Sequence, residues 1–551
     1  MTAIDWREKA MDPLDCLVIG YNDPPFEEYE RLIRRYGEDS EAYRDLKFSF
    51  VEVDGRKLNY VDLLNTVMKK AGYGGSALAS GEIPNLAAAY LTNYLRRRGL
   101  RADYVNLYQL EKDRLTAFLD EDPACVAITT TFYVVNFPVT EMVEFIRGKN
   151  DRVKTVVGGP LVANHTRNYQ GEDLQAALRD IGADIYIVDS QGELTLTQLV
   201  QALKAGDDVS RVPNIYYREG GRYVATGVEP ENNDMDQNYI DWRSLADEDL
   251  GPTLQTRTAR SCAFKCSFCN YPTRAGALTL ATLGAIEKEF DSMARRGNVR
   301  NVVFIDDTFN VPLPRFKEIC RLLIRKKYDF NWFSYFRCSN SDEEAVDLMA
   351  ESGCKGVFLG IESGSPTILQ NMAKAAKIEQ YTRGIERLKR NGVLTFGSFI
   401  IGFPGETEAT VQETLDFIHE TRVDYYRAQM WYNEAGTPIH DQRDRFNIMG
   451  DGFVWSHATM DSLEAMEHIE RMFLRVDTSE WLPQWSFDFW IIPYLMGKGL
   501  SRDRFKEFMR HANQMLRFEI AAVDPREKER MTRQNMRELV DKARSWGIAQ
   551  A

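Results

Sequence analysis

Apolar residues along this chain fall into runs of two periods. Leu14–Tyr21 (LDCLVIGY) is apolar almost without a break, as strands buried on both faces of a parallel sheet are. Ala102–Tyr108, Cys125–Thr130, Lys154–Val157 and Asp184–Val188 repeat that pattern. Between them lie stretches of helical spacing, of which Ile83–Arg98 is the clearest and stops at Gly99. The alternation predicts a doubly wound, Rossmann-like parallel sheet over residues 14–200. Ligands on such sheets bind beyond the carboxyl ends of the strands. Those ends carry Thr129, Thr130 and Thr131, then Gly158, Gly159 and Pro160, then Gly192 and Glu193. Residues 22–70 are polar and irregular and read as an insertion.

Residues 205–252 are acidic, include Asn232 and Asn233, and read as a linker around a short hairpin, Asn214–Thr226. The alternation then resumes. Leu254–Arg260, Asn301–Asp306, Trp332–Cys338, Gly356–Glu362, Thr395–Ile401 and Tyr425–Trp431 are the candidate strands. Such βα units predict a partial (β/α)6 barrel of the TIM type, with its chemistry at the strand C-termini. After Gly450 the pattern is mostly helical, with Trp481, Trp485 and Trp490. The expected α/β organisation is a Rossmann-like domain at 1–204, a linker at 205–252, a partial barrel at 253–445 and a helical region at 446–551.

Composition narrows the function. A chain of 551 residues exceeds the roughly 250–300 residues that one core serves. The net charge of -13 argues against nucleic acid as a partner, since phosphate backbones call for a basic surface. It leaves room for a small anionic substrate held by a few buried arginines. Apolar stretches such as Trp490–Met496 fall far short of the roughly 20 residues that span a bilayer. The N-terminus, with Asp5, Arg7, Glu8 and Lys9, lacks an apolar signal core. The expectation is a cytoplasmic protein with no membrane partner.

Eight cysteines without a secretion signal do not predict a disulfide framework. Cys16, Cys125, Cys320, Cys338 and Cys354 are scattered and read as small buried apolar residues. Cys262, Cys266 and Cys269 instead share one segment, RSCAFKCSFCNYP, after the first barrel strand. A loop lets three sulfurs converge, and thiolates suit zinc or iron–sulfur clusters. A structural zinc site takes four protein ligands, and no fourth Cys or His lies close in sequence. Three thiolates on a four-iron cluster leave one iron open to a substrate.

CxxxCxxC followed by Tyr271 and Pro272 resembles the signature of the radical S-adenosylmethionine (SAM) superfamily. The resemblance implies a 4Fe-4S cluster on the three cysteines, SAM as its substrate, and an external electron donor of the flavodoxin or ferredoxin type. It implies that Asp306 and Asp307, at the second strand's end, hold SAM's amino group. It implies that Glu362 and Ser363 meet the ribose or carboxylate, and that the segment from Ser398 through Gly402 to Glu406 meets the adenine. Further upstream, Pro84–Leu91, Val156–Pro160 and Gln191–Glu193 resemble the cobalamin-binding domain that precedes many radical SAM cores. Thr129, Thr130, Gly158, Gly159, Gly192 and Glu193 are then the expected cobalamin-side positions. The DxHxxG motif that supplies a histidine to cobalt elsewhere is absent, and His165 reads as a surface histidine.

A cobalamin-equipped member of this superfamily is expected to transfer a methyl group. The subgroup it most resembles is the P-methyltransferases of phosphinothricin-type pathways, whose acceptor is a phosphinate. Arg337 and Arg427 are candidate clamps for a phosphinate or carboxylate, with a structural ion pair as the alternative for either. His457, in the segment WSHATMD, is a candidate substrate contact or helix cap. Transfer of SAM's 3-amino-3-carboxypropyl group, as in arsenic-containing amino acid pathways, and a non-catalytic redox sensor are the other readings.

Overall fold

Strands that are apolar on both faces need cover on both, and two seven-stranded sheets provide the frame for it. The computed structural model describes residues 13–131, 133, 135–188, 191–246, 250–485, 488–521 and 523–546. Asp5, Arg7, Glu8 and Lys9 lie outside them. The chain forms two units: residues up to Pro24 with Pro84–Leu250 and Gly284–Arg295, and Pro25–Ile83 with Gly251–Leu283 and the chain from Arg296 onward. Among the described residues no helix is long and apolar enough to cross a membrane.

In the first unit the strands are β1 (Cys16–Tyr21), β2 (Ala102–Leu107), β3 (Cys125–Thr129), β4 (Lys154–Gly158), β5 (Ile185–Ile187), β6 (Ile215–Glu219) and β7 (Arg222–Ala225). Their order is β2-β1-β3-β4-β5-β6-β7. The first five pair in parallel, and the last two add as an antiparallel hairpin. This is the doubly wound order in which a ligand crevice opens between β1 and β3, where the winding reverses. The hairpin departs from the expected linker, because it belongs to the sheet. Tyr223 packs its ring 5.2 Å from Tyr186 and donates its hydroxyl to the Ala183 carbonyl at 2.7 Å. The polar, acidic flanks hid that anchor.

The second unit has β8 (Thr253–Thr256), β9 (Asn301–Phe304), β10 (Asn331–Phe336), β11 (Cys354–Glu362), β12 (Leu394–Ile401), β13 (Tyr425–Met430) and β14 (Glu480–Trp481). All are parallel and lie in chain order, the wall of a partial barrel. A short seventh strand is added to the six that were expected, too brief to show a period. On one face Tyr335, Phe358 and Phe396 lie in register, with ring centroids 4.8 Å apart at each step. Phe489 and Trp490 pack onto this ladder, Trp490 lying 5.0 Å from Tyr335.

Residues 22–70 are not irregular. They form the helices Phe26–Arg34, Glu41–Lys47 and Tyr60–Lys70 and a hairpin, Phe50–Val53 with Arg56–Asn59. From Pro25 onward they belong to the second unit rather than the first. Tyr29 stacks on Trp485 at 3.7 Å, Phe48 packs on Trp481 at 5.1 Å, and the Tyr60 hydroxyl donates to Asn513 at 2.9 Å. Their apolar faces are short, and the partners stand more than 400 residues away in sequence, as the span from Phe48 to Trp481 shows. The C-terminal region is helical over Ser462–Arg475, Arg502–Ile520 and Pro525–Ala543. It is preceded by a small sheet of Met449–Asp451, Val454–His457 and Met460–Asp461.

That small sheet supports the turn after β12. Gly402 has φ +85°, and a Cβ there would meet the Trp455 ring at 2.4 Å. Glycine is therefore required by the protein's own packing as well as by the backbone. The buried Glu406 carboxyl accepts the Gly402 amide, and burial pushes its pKa up to about 8. Its ordinary value is 4.5, so between 4.5 and about 8 the folded chain holds a proton that the unfolded chain has released. Stability then falls as pH rises through that window, by at most about 1.4 kcal/mol per unit from this group. Glu406→Gln is expected to flatten that fall in urea unfolding compared at about pH 5.5 and about pH 7.5, both within that window. Identical slopes for variant and parent would refute the assignment.

Candidate functional site

The cysteine segment is a closed loop. β8 ends at Thr256, earlier than the sequence pattern predicted, and Ala259–Arg260 then pairs antiparallel with Thr279–Leu280. Between these stems lie Cys262, Cys266 and Cys269, all free thiols. Inside the loop the Cys269 amide donates to the Cys266 carbonyl at 3.1 Å, and the Cys262 thiol lies 3.4 Å from the Thr308 hydroxyl. Ser267 ties the loop down, its amide donating to the Met372 carbonyl at 2.8 Å and its hydroxyl to that of Asn371 at 2.8 Å. Burial pushes the Cys269 thiol up to about 11, and the negative potential of Cys266, Asp307 and Cys262 adds to it. The three sulfurs thus sense one another. No group of three or more His, Cys, Asp or Glu among the described residues has the arrangement of a single-ion site. A four-iron cube is wider than an ion, so three thiolates spread over one loop fit it in donor chemistry and in count.

Asp306 does something other than the resemblance implied. It is buried and its carboxylate accepts the Thr258 amide at 2.7 Å, the Ala259 amide at 2.7 Å and the Thr258 hydroxyl at 2.6 Å. Those bonds fix where the chain leaves β8 for the cysteine loop. Asp307, one residue on, is exposed and within electrostatic reach of Cys269. Ser363 is also committed elsewhere: its hydroxyl meets that of Thr414 at 3.2 Å and accepts the Ser365 amide at 3.0 Å. Glu362 has φ +69° and pairs with Lys374 at 2.7 Å, both being buried. Ser398 is buried on β12, in register between Gly360 of β11 and Arg427 of β13.

Of the polar substrate candidates, Arg337 is satisfied. It donates to the Ser339 hydroxyl at 3.0 Å and the Ala375 carbonyl at 3.3 Å, and its guanidinium lies 3.6 Å over the Phe264 ring. Among the described residues Arg337 makes no ion pair, contrary to the alternative that the sequence offered. Arg427 is buried, and among the described residues its Nε and Nη1 are unbonded. His457 is neither a helix cap nor free: it stacks on Trp455 at 5.4 Å and donates from Nε2 to the Gly402 carbonyl at 3.1 Å. The cap of the following helix is Asp461. Sequence reasoning missed Lys374 and Asn310. The latter accepts the Arg337 amide at 2.9 Å and donates to the Arg337 carbonyl at 2.9 Å. Neither lies in a local pattern that signals such long-range pairing.

In the first unit the expected cobalamin-side positions sit at the carboxyl edge of the sheet. Thr129 donates to the Gly20 carbonyl at 3.1 Å, and Thr130 to the Gly158 carbonyl at 2.9 Å. Gly159 has φ +111° and packs where a Cβ would meet the Thr130 hydroxyl at 2.8 Å. Gly192 has φ +71° and begins the helix Glu193–Ala205, while the buried Glu193 carboxylate accepts Asn233 at 3.0 Å. His165 is half-buried and bonded to Asn136 at 2.7 Å. The carboxyl ends of β3, β4 and β5 thus offer glycine turns and backbone groups, a set whose chemistry fits a corrin.

Residues 256–418 match the family model of the radical SAM superfamily, and residues 76–200 match that of the B12 binding domain. An uncharacterized methyltransferase of Pyrococcus horikoshii is 26% identical over 391 residues, 70% of this chain and 82% of that protein. The anaerobic magnesium-protoporphyrin IX monomethyl ester cyclase of Rubrivivax gelatinosus is 25% identical over 424 residues, 73% of this chain and 74% of that one. Among solved structures, the radical SAM methyltransferase TsrM of Kitasatospora setae, with cobalamin and a 4Fe-4S cluster bound, shares the fold. Its TM-score is 0.58 at 18% identity, over 84% of this chain and 97% of that one. With a radical SAM domain on the cysteine-loop barrel and a B12-binding domain on the preceding sheet, the protein is a radical SAM enzyme that uses a 4Fe-4S cluster, SAM and cobalamin.

Proposed function

We propose that the enzyme transfers a methyl group to a small molecule, with a phosphinate as the acceptor class. The observation that carries this reading is the closed loop of three free thiols beside strand ends bearing the SAM-type motifs, in a chain that also has a B12-binding domain. The methyltransferase names of the Pyrococcus horikoshii relative and of TsrM support methylation over other outcomes. When bound, the cluster with SAM supplies one-electron cleavage of the sulfonium, and cobalamin supplies a methyl carrier.

The chain's own residues bind and orient. Cys262, Cys266 and Cys269 hold the cluster. Asp307, exposed where Asp306 is buried, accepts SAM's ammonium. The turn from Gly402 to Glu406 offers backbone groups to the adenine, and the Ser398 hydroxyl stands one strand from Gly360 for the ribose side. Tyr335, Phe358, Phe396, Phe489 and Trp490 make the barrel interior apolar and exclude water from a reactive centre. An external reductant supplies the electron.

Anaerobically reconstituted protein with reductant and a phosphinate acceptor is expected to release S-adenosylhomocysteine together with 5′-deoxyadenosine. Alanine at Cys262, Cys266 or Cys269 is expected to remove both products and the cluster absorbance. Methylthioadenosine as the main product would instead support aminocarboxypropyl transfer, and cluster-loaded protein that yields no SAM-derived product would support a sensor. Asp307→Asn is expected to weaken SAM binding by about tenfold, the loss of one charge-assisted hydrogen bond, with iron content unchanged. Unaltered SAM affinity in equilibrium dialysis would remove Asp307 from the site.

A further inference from the structure

Arg427 is a buried cation of the barrel wall whose bonds are not made. On β13 it pairs in register with Ser398 of β12, which pairs with Gly360 of β11. That rung crosses the strand ends that carry two of the SAM-type motifs. Two residues back along β12, on the same face, begins the aromatic ladder of Phe396, Phe358 and Tyr335, and the Arg427 guanidinium lies 5.8 Å from the Phe396 centroid. The residue is 9% exposed, and among the described residues its Nε and Nη1 have no hydrogen-bond partner. Asp488, Asp45 and Glu362 act on it through their charge, but none is hydrogen-bonded to it, and Glu362 already holds Lys374.

A guanidinium in this position is costly. Burial without hydrogen bonds penalises the charged form, and a well-packed apolar side chain is commonly more stable in its place. Arg337 shows what a structural arginine looks like in the same barrel: a hydroxyl, a carbonyl and a ring occupy its donors and its face. Arg427 has the ring and lacks the acceptors. What it lacks is a pair of oxygens in the plane of its fork, the geometry of a carboxylate or a phosphinate.

We propose that Arg427 is the receptor for an oxyanion of the substrate, a carboxylate or phosphinate, whose apolar body lies along the Phe396–Phe358–Tyr335 ladder. This rests on reading the barrel as a small-molecule site. SAM also carries a carboxylate, so the test separates the two sources.

The probes are phenylphosphinate, phenylacetate and the neutral phenylacetamide, titrated by calorimetry into cluster-loaded protein saturated with S-adenosylhomocysteine. The parent protein is expected to bind both anions at least about tenfold more tightly than the amide, the worth of charge-assisted pairing. Arg427→Met is expected to lose that preference, to keep its affinity for S-adenosylhomocysteine, and to melt no lower than the parent. Arg427→Lys, which keeps the charge without the fork, is expected to retain part of the preference. The proposal is overturned if the parent shows no preference or if the preference survives in Arg427→Met. It is also overturned if nucleoside affinity falls in parallel, which would assign the guanidinium to SAM, or if Arg427→Met melts several degrees lower, which would assign it to the fold. Binding is read without turnover. Anion preference in a protein that makes no S-adenosylhomocysteine would therefore refute methyl transfer and leave this site standing.

Discussion

The buried carboxylate of Asp306 is the constraint on which the site depends. An ionised carboxylate out of water costs several kcal/mol unless its lone pairs are filled, on the order estimated for real proteins. Here three donors from two consecutive residues fill them: the amides of Thr258 and Ala259 and the hydroxyl of Thr258. Arg315 completes the arrangement from the other side, donating to the Thr258 carbonyl at 2.8 Å and the Ala281 carbonyl at 3.0 Å. The end of β8 is therefore locked to β9 beyond the reach of their sheet pairing. The two-residue stem with Thr279–Leu280 can close only because the chain leaves β8 in that direction. Three thiols on one loop then acquire a fixed neighbourhood instead of a flexible one, which is what a cluster with an open coordination position needs.

The same bond explains a limit of the sequence. DD after an apolar strand marks a place where acid is wanted, and it does not say whether the acid faces a ligand or the chain's own amides. Asp306, Ser363, Thr129, Thr130 and Glu193 all stand at strand ends where ligand contacts were expected, and all five side chains are bonded to the protein itself. Strand period and cysteine spacing are local, so the two sheets, the order of the barrel strands and the thiol cluster were legible. The structure within residues 22–70 was not, because its apolar partners lie in the distant C-terminal part of the chain and its own composition is polar. Glu30 illustrates the difficulty: it reads as surface, yet it is buried beneath Arg34, Lys57 and Tyr43.

The segment after the barrel also proved to be a support for it. His457 is held neutral chiefly by burial, which lowers its pKa. In the neutral tautomer Nε2 donates to the Gly402 carbonyl while Nδ1 accepts the Thr459 amide at 3.3 Å. The Trp455 indole donates to the Trp431 carbonyl at 2.8 Å, at the end of the adjoining strand. One histidine and one tryptophan from the small sheet thereby fix the exits of β12 and β13. The conformation of the turn after β12 is thereby settled by the protein's own contacts.

Glu362 shows how the barrel handles charge where geometry is strained. A register shift between Gly360 and Glu362 breaks the ladder with β12, and Glu362 takes a left-handed φ of +69° without being glycine. Such a backbone costs about 1–3 kcal/mol and persists only where the surroundings over-determine it. The buried Lys374 does so, pairing at 2.7 Å and closing off solvent as it lies 5.5 Å from the Phe268 ring of the cysteine loop. The irregularity thus places the Glu362–Lys374 pair beside Phe268 of that loop. The barrel thus contains one strained acid bonded to a lysine and one cation, Arg427, on which Asp488 and Asp45 act through their charge while its Nε and Nη1 stay unbonded among the described residues. Folding alone favours neither an unmade bond nor a strained φ, and in this barrel only the strained φ has a built-in partner to hold it, Lys374.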